Sequence, residues 1–319
     1  MNPADEGLPH GQVPSSGPSV RPERARLKMF VLGARPRTLP AAIVPVLVGT
    51  ASAWWLLGAH HLSWWRAAGA LVVSVAVQVG TNFANDYSDG IRGTDDKRVG
   101  PVRLVASGIA SPKAVATASI VSFGIAGAVG LVLAAYTSWW VVGIGAACIA
   151  AGWLYTGGPR PYGYMGLGEV FVFVFFGLVA TCGTSYVEGL GLSTRGFHVA
   201  LVSAVAVGML AVALLEANNA RDIAGDTKAG KKTVAVRLGR RNAGLAYLAT
   251  LLVAAAAVIV VAALWRPGAL LALLGFVVAR RPVDLALGRA EGRDLLPMLA
   301  GTARVQICVG LLLAIGLLI

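Results

Sequence analysis

The sequence predicts an all-α membrane protein that crosses the bilayer several times. Of its 319 residues, 56% are hydrophobic and only 13% are charged, and the mean hydropathy is +0.72. A soluble domain is about half apolar and about a quarter charged. The apolar residues also gather in runs of about 20, the length of helix that crosses a hydrocarbon layer of about 30 Å. These observations favour a single membrane domain over two soluble ones.

Nine apolar runs follow one another along the chain. The eighth contains Arg280, Arg281 and Asp284, so we expect a shorter span that continues as a helix beyond the hydrocarbon, with its arginines reaching the interface. We predict nine transmembrane helices, at about residues 38–57, 67–85, 113–135, 139–156, 166–185, 197–217, 243–264, 268–287 and 300–319.

The basic residues fall in alternate gaps between these runs. Of the 27 Lys and Arg residues, only Arg66, Arg195 and Arg266 lie on one side of a nine-span arrangement. Cytoplasmic loops carry the excess of Lys and Arg in membrane proteins. We therefore expect a multi-pass protein of the cell membrane with a cytoplasmic N-terminus, a C-terminus outside and a cytoplasmic working face.

The first 26 residues differ in composition from the rest. They are rich in Pro, Gly and Ser and contain no apolar run, so they cannot offset the entropy of ordering. We expect a disordered tail at 1–26 and the membrane domain at 27–319. The net charge of +12 would suggest nucleic acid as a partner. Because the cations follow membrane topology, nucleic acid is not expected.

Polar side chains gather at the end of the second run. Asn82, Asp86 and Asp89 stand at i, i+4 and i+7, which places them on one face of a helix. Ionisable groups at the edge of a membrane indicate function by default. The remaining members of this first cluster are Gln78, Asn85, Asp95 and Asp96.

A second cluster lies at the end of the sixth run. Asn219, Asp222 and Asp226 again share one helical face, and Glu216, Asn218 and Arg221 lie beside them. Both clusters are expected to leave the membrane on the cytoplasmic side, so they can face each other across the mouth of one cavity.

Facing carboxylates repel unless a cation lies between them. Mg²⁺ prefers oxygen ligands and shares its octahedron with phosphate oxygens, so the pattern predicts a magnesium site for a phosphate or diphosphate. Basic residues that could hold the anion follow each cluster: Arg92, Lys97, Arg98 and Arg103 after the first, and Lys228, Lys231, Lys232 and Arg237 after the second.

A diphosphate held in this way is a good leaving group, because the charge that develops on it is neutralised. An allylic group would leave as a carbocation, which aromatic faces such as those of Tyr155, Tyr162 and Tyr164 can stabilise. Simpler roles stay open for each residue: an Asp can cap a helix, a cation can follow topology and a Tyr can anchor at the interface.

Residues 28–319 resemble the UbiA superfamily of intramembrane aromatic prenyltransferases. Its two signatures are matched by Asn85-Asp86-Tyr87-Ser88-Asp89 and Asp222-Ile223-Ala224-Gly225-Asp226. Four stretches are most similar to the branch that prenylates 1,4-dihydroxy-2-naphthoate. They are residues 34–40, residues 82–89 continuing to 93–95, residues 155–164 and residues 218–238. Where the wider family often has a further Asp after its first signature, this chain has Gly93, which leaves the third carboxylate of that motif open.

The resemblance implies nine helices around a central cavity, capped by cytoplasmic loops and open sideways to the lipid bilayer. It also implies Mg²⁺-dependent transfer from a polyprenyl diphosphate to 1,4-dihydroxy-2-naphthoate, with loss of CO₂ and diphosphate, giving demethylmenaquinone. The implied metal ligands are Asp86, Asp89, Asp222 and Asp226, and the other implied catalytic residues are Lys231, Arg160 and Tyr155. The implied substrate-binding residues are Asn82, Asn85, Arg92, Asn218, Asn219, Arg221, Lys232, Arg35, Arg37 and Tyr162.

Other functions stay open at this point. An enzyme of the same fold could use 4-hydroxybenzoate, homogentisate or a sugar phosphate as the acceptor. A cation-coupled transporter is a different alternative, but it predicts carboxylates near the middle of the bilayer and not at one edge. The length of the prenyl chain, the acid-base residue and the oligomeric state are not readable from the sequence.

Overall fold

The structure, a computed structural model, describes residues 29–93 and 103–319, and these contain helices and no strand. The expected disordered tail lies outside the described residues, as do Asp95, Asp96, Lys97 and Arg98. A 3₁₀ turn at Pro36–Thr38 precedes the first long helix. The prediction of an all-α membrane fold is confirmed.

Nine helical segments follow, one at each predicted apolar run. They are α1 (Pro40–Leu57), α2 (Trp64–Ile91), α3 (Pro112–Ala135), α4 (Trp140–Leu154), α5 (Gly168–Val187), α6 (Arg195–Lys228), α7 (Val234–Leu264), α8 (267–287) and α9 (Leu296–Leu318).

Two of the nine segments differ from ordinary spans. Helix α4 has only 15 residues, and α8 is broken by 3₁₀ turns at Pro267–Leu270 and Gly275–Ala279. Seven helices in the described part of the chain are long and apolar enough to cross a membrane. The predicted count of nine membrane spans is therefore not confirmed.

Several helix ends follow from local sequence. Ser111, Thr194 and Thr233 each accept a backbone hydrogen bond at the start of α3, α6 and α7, which satisfies a donor that the helix leaves unpaired. Gly239 interrupts α7 with a φ of 73°, a left-handed conformation that glycine adopts without steric cost.

Helix α6 is the central helix of the bundle and packs against α7, α1 and α9. Its first five turns bury small and branched apolar residues such as Ala206, Val207 and Leu210. Its last turns carry the polar cluster. The Nζ of Lys231, just beyond α6, lies 3.4 Å from Asp89 near the end of α2. The two polar helix ends therefore meet on the same side of the bundle.

Candidate active site

The first polar cluster is buried at the end of α2. Asp86 is 1% exposed, and its two carboxylate oxygens accept hydrogen bonds from the backbone N–H groups of Leu104 (2.9 Å) and Val105 (3.1 Å). A carboxylate has about four lone-pair positions, so each oxygen keeps capacity for a further partner. Asp86 thus holds the segment that begins at Arg103 against the end of α2.

Asp89 is the point where three segments of the chain converge. Its Oδ1 accepts a hydrogen bond from the Tyr164 hydroxyl and lies 3.4 Å from Lys231 Nζ. Its Oδ2 lies 3.6 Å from a guanidinium nitrogen of Arg103. Lys231 also stands over the Tyr164 ring, 4.4 Å from its centroid. The carboxylate, 2% exposed, is neutralised by cations that a diphosphate would also attract.

The second cluster is built on the last turns of α6. Arg221 donates from Nε to Asp222 Oδ1 (2.7 Å) and from a terminal nitrogen to Oδ2 (2.6 Å), which makes a buried bidentate pair. The same nitrogen donates to Asn218 Oδ1 at 2.7 Å. Bidentate pairing fixes the plane of both groups, so the end of α6 presents a rigid polar surface.

A reversal after α6 returns the chain to the site. Gly230 has a φ of 72°, which favours glycine, and the Lys231 N–H donates to the backbone oxygen of Asp226 at 2.8 Å. Lys231 and Asp226 are both buried. This turn explains why Lys231 points toward Asp89 while its neighbour Lys232 is exposed.

The two clusters meet at the mouth of a cavity of about 850 Å³. Its lining is mostly apolar and reaches along α2, α3, α4 and α5 to Ala70, Leu133 and Val187. The predicted site residues that line it are Arg35, Arg37, Asn82, Asn85, Tyr155, Tyr162, Asn218 and Arg221. Within the described residues the four aspartates lie behind this lining, each no more than 8% exposed.

Tyrosines and amides shape the mouth. The rings of Tyr155 and Tyr162 meet edge to face at 5.4 Å, and Tyr162 stacks on Phe171 at 3.9 Å. Burial raises the pKa of Tyr162 above its ordinary value, so its hydroxyl stays protonated and donates to the Ala151 carbonyl at 2.8 Å. Asn82 donates to the Thr38 hydroxyl at 3.0 Å, which ties α2 to the turn before α1.

Three predicted residues lie elsewhere. Arg160 and Lys232 line a separate exposed pocket of about 430 Å³ and not the large cavity, and the role of Arg160 beside the acceptor stays a prediction. Arg92 donates to the backbone oxygens of Thr156 and Gly158. Its guanidinium therefore fastens the loop after α4 to the end of α2, using two of its five N–H donors.

Arg103, which the sequence already suggested as a cation for the anion, lines the cavity and lies beside Asp89. The structure also adds residues that the sequence interpretation did not place in the site: the Thr156 hydroxyl donates to Asn85 Oδ1 at 2.7 Å. Glu169, near the start of α5, accepts a hydrogen bond from Asn219 Nδ2 at 3.1 Å. Glu169 could have been noticed in the sequence, because it is an ionisable residue within an otherwise apolar run.

The sequence profile described as the UbiA prenyltransferase family matches residues 42–281. The chain belongs to this family. A UbiA relative from Mycobacterium tuberculosis, named 1,4-dihydroxy-2-naphthoate octaprenyltransferase, is 47% identical over 290 residues, which cover 91% of this chain and 97% of that protein.

Solved UbiA structures share the fold. The apo structure of a UbiA homolog from Aeropyrum pernix K1 matches with a TM-score of 0.63 at 17% identity, over 90% of this chain and 98% of that one. A UbiA homolog from Archaeoglobus fulgidus bound to DMAPP and Mg²⁺ matches with a TM-score of 0.58 at 14% identity, over 90% of this chain and 99% of that one. The chain is thus a multi-pass membrane protein of the UbiA fold.

The donor atoms at the mouth of this UbiA cavity suit magnesium. They are carboxylate and amide oxygens, the hard ligands that Mg²⁺ prefers. Across the described ranges, no three His, Cys, Asp or Glu residues cluster as a metal cage would require. Two pairs of carboxylates fit an ion that takes few protein ligands and completes its shell with water and phosphate oxygens.

Proposed function

We propose that this protein transfers a polyprenyl group from a polyprenyl diphosphate to 1,4-dihydroxy-2-naphthoate in a Mg²⁺-dependent reaction. One observation carries the proposal: the polar ends of two separate helices border one end of a long, mostly apolar cavity, with their aspartates behind that lining and Lys231 beside Asp89. A polyprenyl diphosphate is divided in the same way, because it has a polar diphosphate at one end and a long apolar chain behind it. The name of the Mycobacterium tuberculosis relative supports the choice of acceptor.

In this proposal the carboxylates hold the metal. Asp86 and Asp89 would hold one Mg²⁺, and Asp222 and Asp226 another. The bound ions supply charge neutralisation for the diphosphate as the C–O bond breaks. The buried cations already beside these carboxylates, Lys231, Arg103 and Arg221, are within reach of the same anion.

The acceptor would lie at the mouth between the tyrosines and the arginines. Tyr155 and Tyr162 offer aromatic faces, while Arg35 and Arg37 offer cations for the naphthoate carboxylate. The allylic C–O bond breaks and an electron-rich ring carbon forms the new C–C bond. The carboxylate leaves as CO₂, returning its electron pair to the ring, so the products are diphosphate, CO₂ and demethylmenaquinone in its quinol form.

The apolar part of the cavity would receive the isoprenoid chain. The polar mouth lies among cytoplasmic loops in the topology that the basic residues predict, with the C-terminus outside. A C-terminal alkaline phosphatase fusion should therefore be active, and a C-terminal green fluorescent protein fusion should be dark. The opposite pattern would refute this orientation.

The reaction can be tested with purified protein and labelled octaprenyl diphosphate. We expect transfer to 1,4-dihydroxy-2-naphthoate, release of one CO₂ per product, loss of both with chelator and recovery with added Mg²⁺. Parallel assays offer 4-hydroxybenzoate and homogentisate. Transfer to either of these without transfer to the naphthoate would overturn the acceptor, and full activity with chelator would overturn the metal.

A further inference from the structure

Glu169 is a half-buried carboxylate beside the candidate site. It lies in the first turn of α5 and accepts a hydrogen bond from Asn219 Nδ2 at 3.1 Å. Asn219 is 7% exposed and precedes Asp222 by one helical turn on the same face of α6. Glu169 does not border the cavity, and its described hydrogen bond toward the second cluster is the one to Asn219.

The chemistry of this contact determines the orientation of the Asn219 amide. An ionised carboxylate can only accept hydrogen bonds, whereas an amide has a donor nitrogen and an acceptor oxygen. In the structure the Asn219 nitrogen faces Glu169. The amide oxygen is left for a different partner, on the helix face that carries Asp222 and Asp226.

We propose that Glu169 is a positioning residue that holds Asn219 with its amide oxygen available to a magnesium diphosphate at the end of α6. This inference rests on the proposed function. Residues that orient ligands in this way commonly change metal affinity by 10- to 100-fold when they are replaced. If Glu169 orients the amide, the side chain at position 169 must accept from the Asn219 nitrogen and must not donate to its oxygen. If Glu169 only filled space, an uncharged side chain of the same size would serve as well.

The chain offers a matched control. Glu216 also lies on α6, one turn before Asn219, and its carboxylate is similarly enclosed. It accepts a hydrogen bond from the Thr250 hydroxyl of α7 at 3.1 Å, a different partner from that of Glu169. Glu216 and Glu169 are close enough for their charges to interact, so Glu216→Gln removes a neighbouring carboxylate of the same size while the hydrogen bond between Glu169 and Asn219 stays in place. It therefore separates loss of local negative charge from loss of the proposed contact.

Glu169→Gln tests the mechanism because glutamine can donate as well as accept. Its side-chain nitrogen can pair with the Asn219 oxygen, so the amide is free to turn. The double variant Glu169→Gln/Asn219→Asp restores a single hydrogen-bonding arrangement, since both terminal atoms of the introduced carboxylate are oxygens. One oxygen accepts from the glutamine, and the other is available to the ligand.

The experiment measures binding of inorganic diphosphate by calorimetry as a function of Mg²⁺, with no prenyl donor or acceptor present. We expect the Mg²⁺ concentration for half-maximal binding to rise 10- to 100-fold in Glu169→Gln, to return to within about threefold of wild type in the double variant, and to stay unchanged in Glu216→Gln. Thermal midpoints without Mg²⁺ should be similar in all four proteins.

Wild-type Mg²⁺ dependence in Glu169→Gln, or no recovery in the double variant, would overturn the positioning role. Failure of the proposed function would give a different set of results. If wild-type protein binds Mg²⁺ and diphosphate normally but transfers nothing to the naphthoate, the acceptor is wrong and the role of Glu169 stands. If wild-type protein does not bind diphosphate with Mg²⁺, both proposals fall.

Discussion

Lys231 Nζ lies 3.4 Å from Asp89 Oδ1, although 142 positions of sequence separate the two residues. The contact joins the loop after α6 to the end of α2, behind the polar lining of the cavity. It also places an ammonium group beside a carboxylate that is proposed to bind metal. Both partners are buried, so the position of Lys231 is well defined.

We expect Lys231→Gln to raise the KM for octaprenyl diphosphate about tenfold, because a buried charged contact with the diphosphate is lost. Tenfold corresponds to about 1.4 kcal/mol. Steady-state kinetics at saturating Mg²⁺ measures the effect. Lys228→Gln is the control, since Lys228 is the exposed last residue of α6 and should leave the KM unchanged. Equal effects in both variants would mean that net loop charge, and not this contact, holds the anion.

Asp222→Asn should lower turnover about a thousandfold, because it removes a proposed metal ligand at nearly constant volume. Asp86→Asn should have a comparable effect and should also loosen the segment that starts at Arg103, since Asp86 accepts its backbone N–H groups. Radiolabelled prenyl transfer measures both. Asp284→Asn on α8 is the control for loss of one carboxylate. Turnover like that of wild type in Asp222→Asn would remove this residue from the list of ligands.

Filling the cavity should change the preferred length of the prenyl donor. Gly145 of α4 lines the cavity, and a Cβ added there would meet no atom within 4 Å. We expect Gly145→Leu to lower turnover with octaprenyl diphosphate about tenfold and to leave geranyl diphosphate nearly unaffected, because steric exclusion of this kind is worth roughly 1–3 kcal/mol.

Gly143→Leu provides the matched control for this experiment. Gly143 is equally unobstructed but does not border the cavity. It should keep the donor preference of wild type. If Gly145→Leu slows both donors equally, the chain does not pass this part of α4.

Glu188, directly after α5, should make stability depend on pH. Its carboxyl accepts a hydrogen bond from the Thr50 hydroxyl at 2.6 Å, and burial raises its pKa from 4.5 to about 7. The folded protein therefore binds this proton more tightly than the unfolded chain does. The stabilisation is complete below about pH 4.5 and is lost as pH rises toward 7.

We expect the thermal midpoint of the protein in detergent to fall between pH 5 and pH 8. In Glu188→Gln, which cannot ionise, this fall should be smaller by the equivalent of roughly 3 kcal/mol. Differential scanning fluorimetry across the pH range measures it. An identical pH profile for the variant would show that Glu188 is not the group responsible.

The sequence by itself determined the helices and the two polar clusters. Both are local properties. A run of about 20 apolar residues is long enough to span the hydrocarbon layer, and a carboxylate at the end of such a run has a free-energy cost near lipid that indicates a function. The spacing of Asn82, Asp86 and Asp89, and of Asn219, Asp222 and Asp226, already placed each set on one helical face.

Only the tertiary structure decided which residues touch. Arg221 pairs with its neighbour Asp222 and Lys231 with distant Asp89. Arg160 lies in a separate pocket, and Glu169 reaches Asn219. Helical period and composition describe one segment at a time. Contacts between segments depend on how the helices pack and how loops such as 229–233 reverse, and a single sequence does not specify these.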